Sequence, residues 1–186
     1  MHASFDWGKV RSSREITGRG TAPWDHELEH RTAFLGVESL AGYVINTGNA
    51  RVIADRSDGF QLFPVVWDEH EQSSMAHPIM LGNTIAGCLL GSSTRPKFFL
   101  SRSHQALFAA YTKLLNLAFS ADDYVPLDMV ELYPMPLPAN QQQFLTHFRS
   151  RVTQVMIHNQ LTVGKAEDEV WCQIEKDLLQ YQMQHA

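Results

Sequence analysis

Residues 73–94 read SSMAHPIMLGNTIAGCLLGSST. Two apolar runs flank Gly82-Asn83, a pair suited to the positive backbone angles of a tight hairpin loop, so the stretch reads as two antiparallel strands. Pro78 lacks a backbone donor and Gly87 lacks a side chain. Both fit an edge or a bulge better than the flat centre of a sheet. With this hairpin in place, the sheet is antiparallel and its helices come from the flanking segments.

Upstream, residues 38–55 read ESLAGYVINTGNARVIAD. Leu40, Tyr43 and Val44 repeat at helical spacing, Gly48 stands where helices commonly stop, and RVIAD reads as a short β-branched strand. Downstream, the strongest helical pattern runs over about 102–119. Leu107, Tyr111, Leu114, Leu115 and Ala118 fall on one face. Nearer the N-terminus, KVRSSREITGRG is expected to be a strand ending at Gly18-Arg19-Gly20. The segment from Asp25 to Phe34 is expected to be helical, and residues 56–74 to form loop and short helix. YPMPLPAN at 133–140 reads as a break between a domain at 1–132 and a linker with C-terminal helices at 133–186. Two amphipathic helices follow: Phe144, Phe148, Val152, Val155 and Met156 stripe the first, and Val170, Trp171, Ile174 and Leu178 the second. Both stripes cannot stay exposed without leaving a large apolar patch, so one packs on the domain or its neighbour and part is expected to form a symmetric dimer contact.

The 186 residues are 44% hydrophobic and 19% charged, which allows a sizeable core. A formal net charge of −5 argues against a sequence-independent grip on nucleic-acid phosphates. No apolar run reaches membrane-spanning length, and the N-terminus lacks the apolar centre of a signal peptide. The two cysteines, Cys88 and Cys172, are far apart and form no disulfide framework, so a reducing cytoplasm is the expected location.

His26-Glu27-Leu28-Glu29-His30 matches the zinc-protease spacing, in which two imidazoles one helical turn apart share a metal and the glutamate activates its water. Asp25, Glu29 and Arg31 surround the pair with charge, whereas a zinc helix is largely buried. A solvated segment is therefore expected, with no metal and no cofactor. Cys88 lies in an apolar strand, where a thiol has neither the exposure nor the electropositive setting that reactivity needs. Ser39, Asp68 and His70 suggest a hydrolase triad, but no nucleophile-elbow pattern supports one.

ESLAGYVINTGNARVIAD, SSMAHPIMLGNTIAGCLLGSST and FFLSRSHQALFAAYTKLLNLAF, covering most of 34–119, together resemble a GAF domain, a small-molecule sensor module related to PAS domains. The resemblance implies an α+β fold, with a central antiparallel sheet of five or six strands, flanking helices and a two-helix C-terminal extension. It implies a non-catalytic sensory or regulatory function, with a small molecule held in a cavity capped by the segment before the hairpin. Trp24, Phe34, Glu38, Tyr43, Phe63, Trp67, His70 and His77 are the expected ligand-binding residues. A homodimer through helices and a regulatory partner protein are the expected contacts. The alternative is a GAF-like scaffold whose cavity is filled by its own side chains. The residue set of the family's cyclic-nucleotide binders is missing from RSDGFQLFPVVWDEHE. Its redox members need several cysteines beside the pocket. Its bilin-binding members often follow the attachment cysteine with histidine, where this chain has Leu89.

Overall fold

The computed structural model describes residues 8–26, 34–57 and 68–185. Phe63, Trp67 and the Glu27–His30 part of the zinc-like motif lie outside them. The chain is α+β. Among the described residues are the strands β1 (Ser13–Arg14), β2 (Phe34–Leu35), β3 (Arg51–Ile53), β4 (Ser73–Leu81), β5 (Thr84–Ser93) and β6 (Val125–Pro126). The α-helices are α1 (Leu40–Thr47), α2 (Arg102–Leu115), α3 (Pro138–Leu145), α4 (Phe148–Asn159) and α5 (Val163–His185). One antiparallel sheet has the order β3-β4-β5-β6, and β1 pairs with β2 in a separate two-stranded ladder. A parallel bridge between Val10 and Val130 links the two.

The hairpin forms as its sequence requires. Leu81 faces Thr84 across the two-residue loop, and Gly82 takes a φ of 61°. The register shifts opposite Ile79 and Met80, where Ala86 is the extra residue between Ile85 and Gly87. This bulge has a packing consequence. Strand side chains alternate faces, so residues 85 and 88 would point apart on a regular strand; the added residue brings Ile85 and Cys88 to the same core. Pro78 lies in β4, which has strands on both sides, yet β3 pairs only with Ser74–Ala76. The missing donor of Pro78 thus falls where β4 has no partner strand on the β3 side.

Helix α1 covers one face of the sheet, with Leu40 and Val44 packed against Ile53 and Ala76. Ser39 caps its start, its Oγ accepting from the Gly42 N–H at 2.9 Å, and Gly48 ends it with a φ of 66°. A Cβ on Gly42 would collide with the Gly36 carbonyl oxygen; glycine is what lets the β2–α1 turn lie against the helix. The opposite face carries α2, whose Phe108 ring lies against Gly91 of β5 and edge-on to Phe99.

Three features differ from the sequence reading. The N-terminal strand is short: its ladder covers Ser13–Arg14, with single bridge positions at Val10 and Arg19. The ends of the expected Asp25–Phe34 helix are not helical: Asp25 and His26 lie outside any helix, and Phe34 opens β2. The tail holds three helices instead of two, because the first stripe is interrupted at Thr146-His147, between α3 and α4. The tail stripes pack on each other and on the domain, as expected of at least one: Val152, Val170, Ile174 and Leu178 form one core with Met135 and Phe34, with Phe144, Phe148, Val155, Met156 and Trp171 partly buried against it. Polar contacts bind this core to the N-terminal strand, with Ser12 Oγ donating to buried Glu175 and Arg14 stacked 4.5 Å over Trp171.

Candidate functional site

Where β3 stops short, the His77–Met80 part of β4 faces a groove. Its other walls are the α1–β3 turn at Gly48, Asn49 and Ala50, and the end of α2 at Thr112, Lys113 and Asn116. The space is open and measures about 300 Å³, the small end of the range for ligand clefts. The physical origin of the groove is the length mismatch between β3, three residues long, and β4, nine residues long.

Most polar groups here are already committed. Thr112 Oγ1 donates to the Phe108 carbonyl at 2.9 Å. Asn116 donates to the Met80 carbonyl at 3.2 Å and accepts from the Tyr124 hydroxyl at 3.1 Å. His77 Nδ1 lies 3.1 Å from the Pro78 carbonyl, which only accepts, so Nδ1 carries the proton and Nε2 is left for another partner. Lys113 is exposed and has no ion-pair partner among the described residues. With no carboxylate among the lining residues, the groove offers one fixed cation and one imidazole nitrogen.

The expected ligand residues do not converge on one cavity. His77 lines the groove. Trp24 and His70 come together elsewhere: Trp24 Nε1 and the His70 backbone N–H both donate to Asp68 Oδ1, at 2.8 and 3.0 Å, with the rings edge-to-face at 6.4 Å. Glu38 is a clamp, one oxygen accepting from the Gly36 N–H at 2.9 Å and the other from the Met135 N–H at 3.0 Å. Phe34 is buried in the tail core, edge-on to Trp171. Tyr43 is 36% exposed on the outer side of α1, with Arg51 over its ring. Phe63 and Trp67 lie outside the described residues.

Ser39 is occupied as the α1 cap and donates to the Gly36 carbonyl, away from Asp68 and its partners. Cys88 lies beneath α1, its sulfur 3.9 Å from the Ala41 carbonyl, and burial pushes its thiol up to about 12. A thiol held protonated in this way is a poor nucleophile. No cluster of three potential metal ligands occurs among the described residues, and most of the zinc-like motif lies outside them.

Lys113, Asn49 and Asn116 were not singled out in the sequence. A signal for Asn116 existed: Gln105, Thr112 and Asn116 share one face of α2, opposite the leucine stripe. That polar row faces the protein. No family model, curated protein or solved structure matches the chain.

Proposed function

We propose that the chain is a GAF-like sensory or regulatory domain that binds a small anionic molecule in the groove beside His77 without transforming it. The observation that carries this reading is the composition of the groove wall. Lys113 and His77 Nε2 are its uncommitted side-chain nitrogens, Asn49 Nδ2 donates to the Thr47 carbonyl at 2.9 Å, no acidic group lines it, and its hydroxyl is tied to the helix backbone. Three elements meet there, so occupancy favours one placement of α2 against β4 over another, and differential affinity of that kind is what shifts a conformational equilibrium. In this reading the Val10–Val130 bridge joins the two ladders into the six-strand surface of a GAF-like fold. The free state of Cys88 and Cys172 suits a reducing cytoplasm.

The second reading, a scaffold without a ligand, is favoured by a different observation. The space between α1 and the sheet is filled by Leu40, Val44, Ile53, Ala76 and Cys88. A thermal-shift screen of nucleotides, sugar phosphates and dicarboxylates separates the two. A ligand at about a hundred times its dissociation constant adds roughly 2.7 kcal/mol, a visible rise in melting temperature. Lys113→Ala and His77→Ala should each weaken such binding about tenfold or more while leaving the unliganded melting temperature nearly unchanged. A screen without any shift, or a shift untouched by both substitutions, removes the groove as the sensor site and leaves the scaffold.

A further inference from the structure

Helix α2 is amphipathic in the reverse sense. Thr112, 2% exposed, is its one buried residue, and the groups nearest the protein include Gln105, which donates to the Phe99 carbonyl at 2.7 Å. Leu107 and Tyr111 are each 56% exposed, Leu114 is 61% exposed and Leu117, in the turn that follows, is 86% exposed. Ala106 and Ala110 are exposed beside them. At 100° per residue these side chains fall within about 140° of arc, and Ser103 is the one polar residue among them.

We infer that this face is a two-fold interface with a second copy of the chain, the two α2 helices crossing antiparallel near Ala110. Size, shape and charge support that occupant. Taking roughly 200 Å² for a fully exposed large side chain, the four large residues leave on the order of 500 Å² per copy. Two copies then bury about 1,000 Å², the lower limit for a specific interface. Ala106 and Ala110 let two helices approach closely between the flanking leucines. An isologous antiparallel pairing about Ala110 sets residue 106 against 114 and 103 against 117. It also brings the basic start of one helix, Lys97 and Arg102, toward the acidic turn after the other, where Asp122 is exposed. None of these three has an ion-pair partner among the described residues. The opposite face of α2 forms the groove wall, so the interface deepens the sensor reading by giving occupancy a partner to act on. It stands without that reading, because it depends on no ligand.

Sedimentation of the full chain without ligand, at micromolar concentration, should show a dimer. Leu114→Glu should weaken it at least a hundredfold, with far-UV circular dichroism and melting temperature of the monomer retained, since the side chain is exposed. Arg102→Glu should weaken dimerisation and the double variant Arg102→Glu/Asp122→Arg should restore it. In a Cys172→Ser background, Ala110→Cys should form a covalent dimer on mild oxidation and Ser103→Cys should not. A monomer at all concentrations, a dimer indifferent to Leu114→Glu, or equal cross-linking through both cysteines overturns the proposal. A dimer that binds no anion fails the sensor reading alone; an anion-binding monomer fails this one alone.

Discussion

Gln141 is fully buried on α3 and its amide makes three hydrogen bonds. Its oxygen accepts from the Phe34 N–H at 3.0 Å, and its nitrogen donates to the carbonyls of Phe34 and Pro136 at 2.8 and 2.9 Å. One side chain thereby does for β2 what a neighbouring strand would do. Leaving buried backbone groups unpaired costs about 1–3 kcal/mol each, so Gln141→Ala should lose several kcal/mol in a urea titration. Gln141→Glu should be at least as damaging, because a carboxylate cannot donate to two carbonyls. If Gln141→Glu unfolds at the wild-type midpoint, the bond pattern is not what holds β2. Nothing in the run NQQQ distinguishes this glutamine from its neighbours. Its role depends on a residue 107 positions away.

Among the elements, the hairpin was legible because its signals are local: loop residues, alternation, and a glycine at the irregular position. The bulge is the sharpest case, since one extra residue sets which side chains share a face. Deleting Ala86 should therefore do more harm than substituting it. It regularises the ladder but turns Ile85 or Cys88 out of the core, and the protein should lose cooperative unfolding by circular dichroism. A deletion variant that melts cooperatively near the wild-type temperature would show that β5 can slip without penalty. Helix α2 shows the limit of the same method. Its period and extent were readable, with the last turn tightening into a 3₁₀ segment at Asn116–Ala118, but not that Leu107, Tyr111 and Leu114 lie outward. Periodicity identifies two faces; it does not say which neighbour each one meets. Here the inward neighbours are backbone carbonyls at Phe98, Phe99 and Met80, which need donors.

At the scale of the molecule, the tail is tied to the β1–β2 region at Phe34, Ser12 and Arg14. Val170, Ile174 and Leu178 are completely buried in that core, and each contributes about 1.5–3 kcal/mol of burial. Truncation after Pro138 removes all three together with Gln141 and Glu175. The shortened chain should expose β2 and Phe34, bind a hydrophobic dye and lose its sigmoidal thermal transition. A truncated protein that melts as the full chain does would show that the sheet region folds without the tail.

The sequence alone determined the α+β class, the hairpin with its bulge, the capped helix at Leu40–Thr47 and the short strand after it. Each depends on interactions among residues close in the chain, such as the Ser39 cap and the Gly48 stop. Only the tertiary structure decided which faces meet. It put Phe34 and Glu38 to structural use, turned Tyr43 outward, separated His77 from Trp24 and His70, and made a groove from the unequal lengths of β3 and β4. These outcomes follow from packing and hydrogen-bond demands between distant segments, where the partner that satisfies a group is not written beside it.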